Sequence, residues 1–146
     1  MFYGEYEHSL DKKSRVIIPA KFREAIKDHY VEHFFITRGL DGCLFLFIEE
    51  EWRKQEQKFR ALSFTKQEAR RFNRLFFSGA SDVVCDGQGR ILIPQYLKEF
   101  AQIQKDVVVI GVSNRIEIWA RERWKDFYEN SRDTFEDTAE KLVDLE

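Results

Sequence analysis

The chain holds only two prolines, two cysteines and seven glycines in 146 residues. So little proline and glycine excludes a collagen-like or low-complexity chain. No apolar run approaches the roughly 18 residues of a membrane helix, so a spanning segment is not expected. Cys43 and Cys85 both lie in apolar runs, and one possible pair is far below the density of a disulfide scaffold, which points to a reducing, intracellular setting. The opening Met1–His8 lacks both a basic n-region and an apolar h-region, so no signal peptide and a cytoplasmic location are expected. A large positive excess is also missing: the net charge is -2, which taken alone argues against a nucleic-acid partner.

What is present is a core. Hydrophobic residues make up 43% of the chain and charged residues 34%, as in a soluble globular protein of one ordinary domain. Each of the 14 phenylalanines can remove roughly 150 to 250 Å² from water, so disulfides are not needed. The charge is unevenly placed. Residues 126–146 carry eight acids and two bases, a balance of -6, which leaves +4 on residues 1–125.

The chain repeats itself. Asp11-Lys-Lys-Ser-Arg15-Val-Ile-Ile-Pro19 through Glu24 aligns without gaps to Asp86-Gly-Gln-Gly-Arg90-Ile-Leu-Ile-Pro94 through Glu99. At a slightly smaller offset, Gly39 through Trp52 pairs with Gly111 through Trp124. Two long matches in the same order indicate a tandem duplication.

Each copy reads as strand, helix and hairpin. A short β-branched run at Arg15–Ile18 ends at Pro19, which cannot donate to a ladder but suits the first turn of a helix. Phe22 and Ile26 lie four apart on one face of that helix, and Tyr96 and Phe100 take the same spacing in the second copy. Apolar runs at 34–37 and 43–48 flank the turn Gly39-Leu-Asp-Gly42, and 107–110 with 116–119 flank Ser113-Asn114. Residues 49–78 form a helix pair broken near Ser63, with Ser63 or Thr65 capping the second helix. The last helix begins at Arg121, with Trp124, Phe127, Tyr128, Phe135 and Leu142 as apolar anchors. The expected organisation is therefore a first repeat at 1–48, a helical connector at 49–78, a second repeat at 79–120, and a C-terminal helix with an acidic tail at 121–146.

No catalytic constellation emerges. His29 and His33 are four apart, yet the nearest third ligand is Cys43 in an apolar strand, so both read as ordinary histidines and no metal is expected. Ser9-Leu-Asp-Lys12 matches Ser-x-x-Lys without the rest of that machinery. Asp86-Gly-Gln-Gly89 precedes a strand and lacks the glycine pattern of a phosphate loop. Glu49–Glu51 suit a helix N-terminus. Neither an enzyme nor a cofactor is expected.

The first repeat carries a different signal. Between Asp11 and Arg23 lie five bases, Lys12, Lys13, Arg15, Lys21 and Arg23, against one acid. They fall on a turn before a strand and on the next helix, where ammonium and guanidinium groups can face phosphates together. Arg15 could also reach guanine O6 and N7 as a fork. Asp11 and Asp86 read as loop organisers, their carboxylates accepting backbone N–H groups across the turn or a bond from the nearby arginine.

Gly4-Glu-Tyr-Glu-His8, both Asp-x-x-x-Arg segments running into Ile-Pro, Thr37-Arg-Gly-Leu-Asp-Gly-Cys-Leu-Phe45, Ala69-Arg-Arg-Phe72, Phe76-Phe-Ser-Gly-Ala80 and Arg115-Ile-Glu-Ile-Trp119 together resemble the MraZ family of bacterial transcriptional regulators, encoded at the head of the division and cell-wall gene cluster. The resemblance covers nearly the whole chain. It implies an α+β fold, a tandem AbrB-like swapped-hairpin β-barrel decorated with helices, with both hairpin units in one chain. It further implies a DNA-binding role for Arg15 and Arg90 in the loops and for Arg23 and its counterpart Lys98 on the helices. Double-stranded DNA carrying direct repeats upstream of its own operon would be the partner, bound by a homo-oligomer, a ring in related proteins, at the nucleoid. The family pattern has glycine before the loop arginine, as Gly89 is here. Ser14 departs from it, at a cost of roughly 1 kcal/mol if φ must be positive. Gly87 and Gln88 replace Lys12 and Lys13, so the second loop's share of DNA contact is expected to be smaller. The alternative is a protein-interaction or scaffold module of antitoxin-like type, docking through the acidic tail from Asp126.

Overall fold

The computed structural model describes residues 1–26 and 33–143. The first copy runs β1 (Phe2–Ser9), β2 (Arg15–Ile17), α1 (Ala20–Ile26), β3 (His33–Arg38) and β4 (Leu44–Ile48), followed by α2 (Glu49–Arg60) and α3 (Gln67–Ser78). The second repeats that order as β5 (Ser81–Val84), β6 (Arg90–Leu92), α4 (Gln95–Ala101), β7 (Asp106–Ser113), β8 (Arg115–Ala120) and α5 (Arg121–Ser131), then a 3-10 turn at Arg132–Thr134 and α6 (Phe135–Val143).

The copies are interleaved. Six strands form one antiparallel sheet in the order β1-β7-β8-β4-β3-β5. The first strand of each copy pairs with the hairpin of the other, β1 with β7 and β5 with β3, while β4 and β8 join the two hairpins at the centre. β2 and β6 make a separate antiparallel ribbon in which Val16 faces Ile91. The described pairings are thus a sheet and a ribbon, with β1 and β5 at the sheet edges, rather than one continuous barrel ladder.

Strict alternation in the central strands serves two cores. Phe34, Ile36, Leu44, Leu46, Val107, Val109, Ile116 and Ile118 join Val16, Ile18, Phe22, Ile91, Ile93 and Leu97 in one cluster, so the ribbon and the short helices α1 and α4 cover one face of the sheet. The intervening Phe45, Phe47, Val108, Ile110 and Trp119 pack with Trp52, Phe76, Phe72 and Trp124 on the helical side. Burial on both faces is why these strands read as nearly unbroken apolar runs. Trp52 lies near-parallel to Phe35 at 5.3 Å and to Phe76 at 5.5 Å, which fixes α2 and α3 against the sheet.

Three expectations are corrected. In α4 the residues that repeat Phe22 and Ile26 are the buried Leu97 and Ala101, whereas Tyr96 and Phe100 are exposed beneath the Arg38 guanidinium. The second copy carries its aromatics one position earlier than the buried face. Neither Ser63 nor Thr65 caps α3: the N-cap is Lys66 without a side-chain bond, and the two hydroxyls bond each other at 2.7 Å. The C-terminal segment is two helices. In it, Trp124 and Phe127 pack on Trp119, and Tyr128 lies half-exposed beside Trp124, but Phe135 and Leu142 are exposed and, among the described residues, belong to neither core cluster. The pairing of His29 with His33 falls partly outside the described residues, and His33 places its Nδ1 3.0 Å from Asp82 on the neighbouring strand.

β1 can lie on β7 only where the backbones meet without side chains between them. Gly4 opposes Gly111, and a Cβ on Gly111 would stand 2.4 Å from the Phe2 carbonyl carbon and the Tyr3 nitrogen. Gly111→Val is therefore expected to lose about 2 kcal/mol or more of unfolding free energy, read from the urea midpoint.

Candidate nucleic-acid interface

The two Asp-x-x-x-Arg segments fold as near-copies. In the first, Asp11 Oδ1 accepts the backbone N–H groups of Lys13 and Arg15, each at 2.9 Å, and Oδ2 accepts Arg15 Nε at 2.7 Å. In the second, Asp86 Oδ1 accepts Gln88 and Arg90 backbone N–H groups at 2.9 Å, and Oδ2 accepts Arg90 Nε at 2.9 Å. Backbone bonds close each turn, Asp11 N to Arg15 O at 3.0 Å and Asp86 N to Arg90 O at 2.9 Å. Each aspartate thus spends three acceptor positions on its own loop, the organising geometry read from the sequence. The residue before each arginine is left-handed, Ser14 at φ 61° and Gly89 at φ 80°.

Tertiary structure then brings the loops together. Because β2 pairs with β6, Ile18 N donates to Gly89 O and Ile93 N donates to Ser14 O, so each strand end is tied to the opposite loop. The ion pairs also cross: Arg15 Nη1 lies 4.0 Å from Asp86 Oδ2 and Arg90 Nη1 3.6 Å from Asp11 Oδ2. Two arginines and two aspartates form one neutral quartet, with the Arg15 and Arg90 side chains 28% and 24% exposed. Arg15 is therefore no free fork in the unbound protein. Its Nε is held by Asp11 and one terminal nitrogen is drawn toward Asp86, which limits its rotamers.

The helix bases brace the loops. Arg23 Nε donates to Ile18 O at 3.0 Å, and its guanidinium lies over Gly89, where an added Cβ would come within 2.7 Å of it. Lys98, the equivalent position in the second copy, donates to Ser14 Oγ at 2.9 Å. Each base thus reaches across to the other copy's loop, a role that no linear pattern reveals, and Ser14 offers the hydroxyl that Lys98 uses. Lys12, Lys13 and Lys21 are exposed on the first copy's side. The structure gathers Lys12, Lys13, Arg15, Arg23, Arg90, Lys98, Asp11 and Asp86 around the ribbon, with Lys21 on the outer face of α1. Against a neutral quartet, this face owes its net positive charge to the lysines and Arg23.

Both carboxylates are held below the ordinary aspartate range, chiefly by the backbone N–H of Arg15 on Asp11 and of Arg90 on Asp86. A depressed folded-state value contributes stability above the unfolded value of about 3.9, and that contribution is lost as pH falls through the lower folded values. The melting temperature is expected to fall more steeply below about pH 4 in the parent than in Asp11→Asn with Asp86→Asn, measured by circular dichroism across pH 2 to 7.

Compared with known families, both halves of the chain match one and the same family, residues 1–75 and again residues 76–146, described as "MraZ protein, putative antitoxin-like".

Proposed function

The chain belongs to the MraZ family along its whole length, and from that premise we propose that it is a sequence-specific DNA-binding transcriptional regulator that reads short promoter repeats through the paired loops of the β2–β6 ribbon. The crossed quartet supports this reading most directly. Two guanidinium groups, related by the duplication and fixed at Nε by carboxylates, are pre-oriented to turn their remaining N–H groups toward base edges, so little rotamer entropy is left to lose on binding. Lys12, Lys13 and Lys21 supply phosphate contacts and register, while Arg23 and Lys98 hold the loops in shape. The aspartates have a second consequence: they cancel arginine charge in the free protein, which lowers indiscriminate attraction to phosphate and leaves sequence-dependent contacts a larger share of the affinity. The regulated genes would be the division and cell-wall cluster that includes its own, at the nucleoid, and no enzymatic step is assigned.

A single loop pair spans few base pairs, so affinity would come from several copies of the chain meeting several direct repeats, with the second contact made at high effective concentration. The reading as a protein-interaction module has one observation in its favour, the fully exposed acidic helix α6. A salt titration separates the two, since each neutralised phosphate contributes about -0.9 to the log-log slope.

Arg15→Ala should keep its circular dichroism spectrum and weaken operator binding by about 1 to 3 kcal/mol per lost base contact, measured by fluorescence anisotropy at fixed salt. Unchanged affinity would exclude this loop. Lys12→Ala with Lys13→Ala should flatten the salt slope by about 2 while leaving base preference in place.

Spacing provides an independent check. Repeats read from one side of the duplex recur about every 10 to 10.5 base pairs. Adding about 5 base pairs between repeats should abolish most of the avidity and adding about 10 should restore part of it, read by mobility shift on a spacer series. Affinity indifferent to this phase would exclude binding by linked copies.

A further inference from the structure

The ribbon that carries the quartet has a second kind of side chain on its outer face. Successive residues of a strand point to opposite sides, so Val16 and Ile91 enter the core and are fully buried, while Arg15, Ile17, Arg90 and Leu92 share the other side. The register sets Arg15 across from Leu92 and Ile17 across from Arg90. Each guanidinium therefore has one aliphatic side chain directly opposite and another two residues along its own strand. Both aliphatic groups are wet in the free protein, Ile17 38% exposed and Leu92 53%.

A single exposed aliphatic residue on a strand is ordinary. These two stand at equivalent positions of the duplicated unit, on the side of the ribbon away from the core that would otherwise account for them. The copies have diverged just before them, Lys12, Lys13 and Ser14 in one standing where the other has Gly87, Gln88 and Gly89. Both nevertheless keep a branched hydrocarbon two residues after the arginine. Threonine would suit an exposed strand equally and could also donate to a phosphate. A hydrocarbon contributes only where its surface leaves water. Major-groove base edges are otherwise polar, and the apolar group they present is the C5-methyl of thymine.

We infer that Ile17 and Leu92 select thymine, each packing on a C5-methyl beside a base read by Arg15 or Arg90. The inference rests on the DNA reading proposed above and adds to it the identity of a second base. The dimensions agree: a major groove about 12 Å wide admits a two-stranded ribbon. Ile17 stands about 6.6 Å along the strand from Arg15 and about 5 Å across the ribbon from Arg90, which is one to two base-pair steps of about 3.4 Å. Leu92 repeats that placement through the duplication. The selected sequence should then hold a thymine within about two base pairs of each guanine contacted by an arginine. Cytosine at that position is disfavoured twice, because it lacks the methyl and sets its amino donor against a side chain that cannot accept. The aliphatic groups also exclude water from the guanidinium–guanine bonds beside them, which strengthens those bonds.

The test uses the full chain and a duplex that the parent protein enriches from a random-sequence pool. Each thymine of that duplex is replaced in turn by deoxyuridine, which removes the methyl and keeps the pairing, and affinity is read by fluorescence anisotropy at fixed salt. The parent should bind about three- to fivefold more weakly for each contacted methyl removed, at thymines within about two base pairs of a guanine. Ile17→Ala with Leu92→Ala, checked for an unchanged melting temperature, should bind the thymine duplex more weakly than the parent does and no longer distinguish it from the uracil duplex. Ile17→Val with Leu92→Ile keeps aliphatic surface at both positions and should retain the distinction, which separates a methyl contact from a general disturbance of the ribbon. The inference is overturned if the parent binds uracil and thymine duplexes equally, or if the alanine variant keeps the parent's ratio between them. Either result leaves the loop assignment standing so long as Arg15→Ala still weakens binding. If the pool yields no enriched sequence, the inference and the DNA reading beneath it fail together. An alanine variant that keeps the parent's ratio but changes its sedimenting mass would assign Ile17 and Leu92 to a contact between proteins instead.

Discussion

Neither copy of the duplicated unit pairs its own first strand with its own hairpin. β1 pairs with β7, β5 with β3, and, among the described residues, the three-residue strands β2 and β6 pair with each other alone. Short strands with unpaired N–H and C=O groups are not stable alone, so this exchange is the constraint on which the rest of the fold depends. It forces the copies to fold as one body and places equivalent residues of the two copies face to face. The bare backbone contact at Gly111 follows from the same exchange, because a long strand from one copy must lie flush along a hairpin of the other.

The candidate interface is a product of that exchange. Once β2 and β6 pair, their preceding loops are neighbours, and two aspartates that each organise one loop also come within reach of the opposite arginine. The quartet is neutral in charge but ordered in geometry. Arg23 over Gly89 and Lys98 on Ser14 extend the pattern outward, so each loop is built by one copy and braced by the other. The two loops differ in their remaining residues, lysines in one and Gly87-Gln88 in the other. A pseudo-symmetric scaffold thereby presents unequal electrostatic surfaces.

Legibility in the sequence followed the range of the interactions. Asp11 and Asp86 were readable because an Asx-type turn is closed within four residues. The ribbon strand β2 and the hairpin strands were readable from apolar runs, and α2–α3 from composition and the break near Ser63, whereas β1 and β5, which carry no such run, and the split between α5 and α6 were not. Tyr96 and Phe100 misled because spacing alone cannot tell which of two adjacent i, i+4 pairs faces inward; the burial of Leu97 and Ala101 is decided by what α4 packs against. The approach of Arg23 to Gly89 and the bond from Lys98 to Ser14 left no local trace, since Gly89 and Ser14 each lie in the other copy.

The sequence by itself determined the duplication, the order of strand, helix and hairpin that follows each Asp-x-x-x-Arg segment, the basic segment from Asp11 to Arg23 and the acidity of the helical C-terminal segment, because periodicity, turn chemistry and charge act over a few residues. Only the tertiary structure decided that the copies interleave, that Arg15 and Arg90 share two carboxylates, and that one helix pair buries its stripe while α6 leaves its own exposed. Those outcomes depend on contacts between residues distant along the chain, such as Trp52 with Phe76, Ile36 with Ser81 and Phe2 with Ser113, where pairing and packing choose among alternatives that the local pattern permits equally.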